Sequence, residues 1–221
     1  MWRWSKLACV YLVGAVPSLC AAGCVRPPLD PGCAELSPGD LVISEVRGPQ
    51  TGTDTRGQWV ELYNASADRI ALTGVQLVLR PLASSASTIT VRDSQLSVAS
   101  GDYTVLAVDR TCSTDTCVTR LPPDADYGFG ADYTRDLPSG AIVEVWSCGT
   151  LVDSVLYRAL PTAGTLALSG AAPPDAALND SASNDAGDVV PPWCVDDEPA
   201  QSPSVEVGLP GTPGGANRVC P

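Results

Sequence analysis

The chain predicts an all-β sandwich standing behind an export leader. Three observations carry this expectation. Short runs dense in Val, Ile, Leu, Thr and Tyr recur from Leu41 to Leu168. Clusters of Gly, Pro, Asp, Asn and Ser separate them, and no segment after the leader repeats its apolar residues at a helical period.

The leader comes first. Trp2-Arg3-Trp4-Ser5-Lys6 is basic, Leu7 to Val16 is apolar, and Ala21-Ala22-Gly23 places small residues before Cys24. That order is a secretory signal over residues 1–23. The apolar run has about half the ~20 residues of a membrane-spanning helix, and Pro17 interrupts it. The ending resembles a bacterial lipobox, with Ala21 where Leu is usual. The resemblance implies an acylated Cys24 as first mature residue and the membrane as partner. Val25, rather than Asp, after that cysteine favours the outer over the inner membrane. Residues 24–39 carry Pro27, Pro28, Pro31 and Pro38 and read as a proline-rich extended tether, its end pinned by Cys33.

The domain is expected over residues 40–221, with eight strands: Leu41–Val46, Gln58–Asn64, Val75–Arg80, Thr88–Val91, Tyr103–Val108, Ile142–Trp146, Leu151–Tyr157 and Thr165–Leu168. In the second, Trp59, Glu61 and Tyr63 share one side while Val60 and Leu62 share the other. In the sixth, Val143 and Val145 oppose Ile142, Glu144 and Trp146. Strands apolar on both faces belong in the middle of a sheet. Leu77, Leu79, Val105, Val152 and Val155 should join the interior. Residues 171–190, rich in Ala, Asp, Ser and Pro, read as a mobile surface insert.

With the leader removed, the cysteines become interpretable. Cys9 and Cys20 leave, Cys24 takes the lipid, and Cys33, Cys112, Cys117, Cys148, Cys194 and Cys220 remain. An even number suits a disulfide set in an oxidising compartment. Cys112 and Cys117 are close enough to close their own loop, which leaves three ways to join the other four. No CxxC spacing supports zinc.

Composition narrows the chemistry. There is no histidine, and Lys6 in the leader is the only lysine. Ser–His, Cys–His and Ser–Lys nucleophile pairs are therefore excluded, which leaves carboxylate pairs or an oxygen-ligand metal site. Losing Arg3 and Lys6 takes the formal charge from −12 to −14. Such a chain repels nucleic-acid phosphates, so no nucleic-acid partner is expected.

Several stretches resemble a known family. Leu41-Val-Ile-Ser-Glu45-Val, Gly57-Gln-Trp59-Val-Glu61-Leu-Tyr63-Asn64 and Ile70-Ala-Leu-Thr-Gly74 are similar to the "ISEV", "WIELYN" and "DLSGW" stretches of the lamin-tail domain. Gly101 to Ala107 is similar to its middle strand. Gly140 to Val145 with Leu151-Val-Asp153 resembles its late hairpin. Pro210-Gly211-Thr-Pro213-Gly-Gly-Ala-Asn217, after Trp193-Cys194, resembles its "GTPGxxN" close. The likeness spans Leu41 to Asn217. It implies an immunoglobulin-like antiparallel β-sandwich without catalytic function, in which Glu45, Trp59, Glu61, Tyr63, Asn64, Gly74, Asp153, Gly211, Pro213 and Asn217 are structural signature residues. The chain departs from the pattern at Val75, where Trp is frequent, at the insert around Cys112–Cys117 and in the stretch before Trp193.

Two candidate sites remain. Glu45 and Glu61, on neighbouring strands, are the one candidate acid/base pair; glycoside chemistry would want them ~5–5.5 Å apart in a cleft. Their bland reading is that they hold loop amides or arginines. Asp124, Asp126, Asp132 and Asp136 form an acidic loop cluster, the weak candidate for calcium, which takes roughly six to eight oxygen ligands. Asp180, Asp185 and Asp188 form another, and neither has EF-hand spacing. The sequons Asn64-Ala-Ser66 and Asn179-Asp-Ser181 read as chance.

The resulting expectation is an exported, lipid-anchored, non-catalytic binding or scaffold module of the bacterial envelope, with no cofactor unless calcium. It would bind protein or polysaccharide through loops at one end of the sandwich. The alternatives are an accessory subunit tethering a separate exported hydrolase, and a carboxylate-dependent enzyme.

Overall fold

The computed structural model describes residues 32–112, 117–119, 121–179, 192–199 and 205–221, with backbone alone for 110–112 and 117–119. The leader, Cys24 and most of the tether lie outside the described residues.

All eight expected runs form strands, and six shorter ones join them. In chain order they are β1 Leu41–Arg47, β2 Trp59–Asn64, β3 Ile70–Ala71, β4 Gln76–Pro81, β5 Ser87–Thr90, β6 Ser97–Val98, β7 Tyr103–Ala107, β8 Arg110–Cys112, β9 Cys117–Thr119, β10 Tyr127–Gly128, β11 Ala141–Ser147, β12 Thr150–Tyr157, β13 Thr165–Leu168 and β14 Trp193–Asp196. Among the described residues there is no α-helix, only two 3-10 turns, Gly130–Asp132 and Ala176–Leu178.

The strands build an all-β sandwich. One sheet has the order β10-β7-β2-β1-β13-β14 and the other β12-β11-β4-β5, with two small ladders, β3-β6 and β8-β9. Pairing is antiparallel except between β10 and β7, the one parallel pair among the described strands. That pair arises because the chain returns across the sheet edge by a long loop rather than a hairpin.

The core lies between the two sheets. Val60 and Leu62 of β2, Leu106 of β7 and Leu166 of β13 meet Leu77, Leu79, Val143, Val145 and Val155 of the smaller sheet in one cluster. The expected interior residues are all buried, but Val105 packs elsewhere. With Trp59 and Ala107 it forms a second cluster on the outward face of the larger sheet, under Ala125. β2 is therefore covered on both faces, as its two-sided apolar pattern predicts, and β11 likewise sits between β12 and β4.

The ends of the chain are fastened to this frame. Cys33 is bonded to Cys148 in the β11–β12 turn, and the Ser147 hydroxyl donates to Ala34 O. Gly74, at φ +81°, lies against Cys33, leaving little room there for a side chain. The Gly39 amide then donates to Val152 O at 2.8 Å. At the other terminus Cys194 is bonded to Cys220. Cys112 and Cys117 stand opposite each other in the β8–β9 register, with their sulfurs outside the described side chains. The stretch expected as a mobile insert starts out packed: Ala176 touches the core and Asn179 is buried. Residues 180–190 of it lie outside the described residues.

The two bridges close loops of very different length, spanning 115 and 26 residues. Loop-closure entropy makes the longer one the stronger constraint on the unfolded chain. Replacing each pair by serines should lower the denaturant-unfolding free energy by about 2–5 kcal/mol, more for Cys33–Cys148 than for Cys194–Cys220. Equal losses, or the reverse order, would contradict this account.

Candidate functional site

The candidate carboxylates are brought together by a break in strand alternation. β1 and β2 pair as Ile43↔Leu62 and then Glu45↔Glu61, so Ser44 is an extra residue in a β-bulge. A one-residue slip carries everything beyond it to the opposite face. Ile43 therefore points inward with Leu62, while Glu45 turns outward to stand beside Glu61. Both glutamates are fully buried even so.

They are covered by the C-terminal segment, residues 209–217, which crosses this outward face. The Thr212 amide donates to Glu45 Oε1 at 3.2 Å and the Gly214 amide to Glu61 Oε2 at 2.6 Å. Thr165 and Ser44 supply hydroxyl donors to Glu45 and Glu61 respectively. Gly211, at φ +66°, passes so close that a Cβ would collide with Glu45 Oε1 and the Thr165 side chain. Only glycine fits. Pro213 separates the two donating amides. Asn217 pins the far end of the segment, accepting from the Thr212 hydroxyl at 2.6 Å and donating to Ser44 O at 2.7 Å.

Burial sets the electrostatics of the pair. It pushes the Glu45 pKa up to about 7, against the pull of Thr165, Thr212 and Trp59, and the Asp196 charge adds to the rise. Glu61 is pushed well above the usual carboxylate range, first by burial and then by the Glu45 charge beside it; Ser44 and Gly214 counter the shift. Trp59 Nε1 is near enough to favour the ionised Glu45, yet neither it nor Glu45 Oε2 completes a hydrogen bond among the described residues. Two carboxyls in one dry site hold a proton between them at neutral pH. Covered as they are, both are shielded from solvent in this conformation, and their donors are loop amides and hydroxyls.

Arg47 completes this face. It is wholly buried, stacks on Trp59 at 4.9 Å, donates to Leu209 O and to Gly57 O, and forms a bidentate pair with Asp54. The sequence offered no sign of it, because an arginine ending a strand normally reaches solvent.

The other signature residues are joints as well. Asp153 Oδ2, on β12, accepts from the Ile43 amide of β1 and from Asn179 Nδ2, both at 2.7 Å, tying one sheet to the other. Asn179 also donates to Ile43 O and accepts from Trp193 Nε1. Asn64 holds the β2–β3 loop through Asp68 O, Val98 O and Ser66. Tyr63 stacks on Tyr103 with ring centroids 4.9 Å apart. Both sequon asparagines are thus buried with their amides in use.

The four candidate calcium aspartates do not converge. Asp124 pairs with Arg56, Asp126 accepts from the Val105 amide, Asp132 holds Arg92 and the Thr90 amide, and Asp136 accepts from Gln58. Among the described residues no three acidic or sulfur side chains are grouped to hold a metal. A cleft of about 270 Å³ opens at the β1–β2 loop end, between Gln50, Asp54, Gln58, Arg135 and Asp136. Its polar groups hold its own walls: Gln50 bridges Gly48 to Gly164, Gln58 binds Asp136 and the Leu137 amide, and Asp54 is taken by Arg47.

Asn179→Ala would leave Trp193 Nε1 and Ile43 O buried without this partner. Unfolding free energy should fall by about 2–4 kcal/mol. Asp175→Ala, which removes only the exposed cap on Ala177, should cost about 1 kcal/mol or less. Comparable losses in the two variants would argue against Asn179 as the joint between the sheets.

No family model matches this chain, and the search of curated proteins returned no match.

Proposed function

We propose that this chain is a non-catalytic lamin-tail-like module, exported and held to the bacterial envelope by an acyl group on Cys24. It presents the loops of its sandwich to a protein or polysaccharide partner. The observation that carries this reading is the use made of Glu45 and Glu61: the one candidate acid/base pair is sealed and occupied in fastening the C-terminal segment. The remaining signature residues likewise serve as joints, which is how a scaffold uses polar groups.

The anchor reading draws support from the disulfides, which suit an oxidising compartment, and from the position of Cys33. Eight residues lie between Cys24 and Cys33, so nine peptide steps join them. Fully extended, they reach about 30 Å, so the β11–β12 turn would be held near the lipid surface. The β1–β2 loop end, at the opposite end of the strands, would be the one offered outward.

Expression of the full chain in a lipoprotein-processing bacterium tests this. The protein should sediment with membranes, with an intact mass that begins at Cys24 and includes acyl chains. Cys24→Ala should move it to the soluble fraction with its fold unchanged by circular dichroism. Recovery of unacylated protein retaining Met1 would overturn the reading.

A further inference from the structure

The segment over the glutamates is attached unlike any strand. Its middle has no ladder: Arg47 holds the Leu209 carbonyl at its start, the Asn217 side chain holds its end, and between them two amides bind two carboxyls. Both of its flanks are fixed more firmly. Thr55 and Val207 exchange hydrogen bonds on one side, and the Cys194–Cys220 bridge closes the other. We infer that residues 209–217 form a pH-gated cover over Glu45 and Glu61, closed while the pair retains a proton and released when both carboxyls ionise.

The surroundings make the second ionisation costly and the cover the cheapest thing to move. Losing the last proton leaves two like charges directly opposite on adjacent strands, out of water. Asp196 of β14 and Asp126 of the β9–β10 loop add charge of the same sign. Tyr63 and Tyr103 share the face; burial first, then the Glu61 charge, pushes Tyr103 up to about 12, so it stays neutral. The nearby cations are already engaged: Arg47 of β1 with Asp54, and Arg218 beyond the cover with Asp196 and Glu198. Lifting the middle of the segment hydrates both carboxylates while the sheets stay paired. It also releases Glu45 Oε2, which completes no hydrogen bond among the described residues.

The sign follows from linkage. Glu45 titrates near 7 with the cover closed and near 4.5 when exposed. Protonation therefore stabilises the closed form fully below about pH 4.5; that stabilisation begins to fall as Glu45 ionises near 7 and is lost when Glu61, raised by burial and by the Glu45 charge, gives up the last proton. This inference is independent of the lipid anchor and goes beyond the proposed function, because it concerns a moving part and not a partner.

Hydrogen–deuterium exchange on the intact, disulfide-bonded protein tests it, with protection factors corrected for base-catalysed intrinsic exchange. Between about pH 5.5 and 9, a range that reaches past the first ionisation, protection of the Thr212 and Gly214 amides should fall by about tenfold or more, while Val143 and Val145 on β11 stay constant. Glu45→Gln keeps an acceptor for Thr212 but cannot ionise, and should hold protection within about twofold over that range. Glu61→Gln serves the same purpose should the first variant fail to fold. Protection independent of pH in the natural chain would overturn the proposal. So would a fall shared by the β11 amides, or one that persists in both variants.

Discussion

The outward face of the larger sheet depends on one extra residue. Were Ser44 paired regularly with Glu61 and not bulged out, strand alternation would send Glu45 into the apolar core on the side of Ile43, where no donor waits. With the bulge, Glu45 turns outward, finds Glu61 and acquires Thr165 and the Thr212 amide. The bulge thus converts an untenable buried charge into the floor of a docking site for the chain's own C-terminus. Gly211 follows from the same constraint, since the backbone has to pass within touching distance of the carboxylate it binds.

A second polar joint, across the sandwich, again centres on a carboxyl group. Asp153 reaches from β12 to the Ile43 amide, and Asn179 links Asp153 and the Ile43 carbonyl to Trp193. Bulge, sheet-to-sheet tie and C-terminal cover therefore share the segment Ile43-Ser44-Glu45. The chain is poor in aromatics, with one Phe and 5% Phe, Trp and Tyr together. Mostly aliphatic side chains fill its core, and buried polar joints and, among the described residues, two disulfides fix how the layers sit.

Much of this was legible in the sequence. All eight predicted strands form, since each pairs β-branched density with turn residues at both ends, and two-sided apolar runs placed β2 and β11 in the middle of their sheets. The strands that escaped notice, β3, β6, β8, β9, β10 and β14, have two to four residues and exist because a neighbouring backbone lies alongside them. Such segments carry too few residues to show a period. That Glu45 and Glu61 sit on adjacent strands was readable, but their shared face was not, because a bulge leaves no compositional mark. Arg47 and Asn179 were invisible for a related reason. A strand-terminal arginine, or an asparagine in an Ala/Asp/Ser stretch, looks solvated until tertiary structure closes over it.

The difference between the two kinds of joint has a thermodynamic consequence. Amide-based joints such as Asn64 and Asn217 keep the same hydrogen bonds at any moderate pH, because nothing in them titrates. The glutamate pair is built from the same kinds of donor and is as deeply buried, but its acceptors change charge. A domain needing only a fastened C-terminus would be served equally well by glutamines, which spare the desolvation of a charge. Placing two acids opposite one another instead makes the strength of that fastening a function of proton concentration. The cover can yield without unpairing a sheet, so the charge that accumulates beneath it is relieved there.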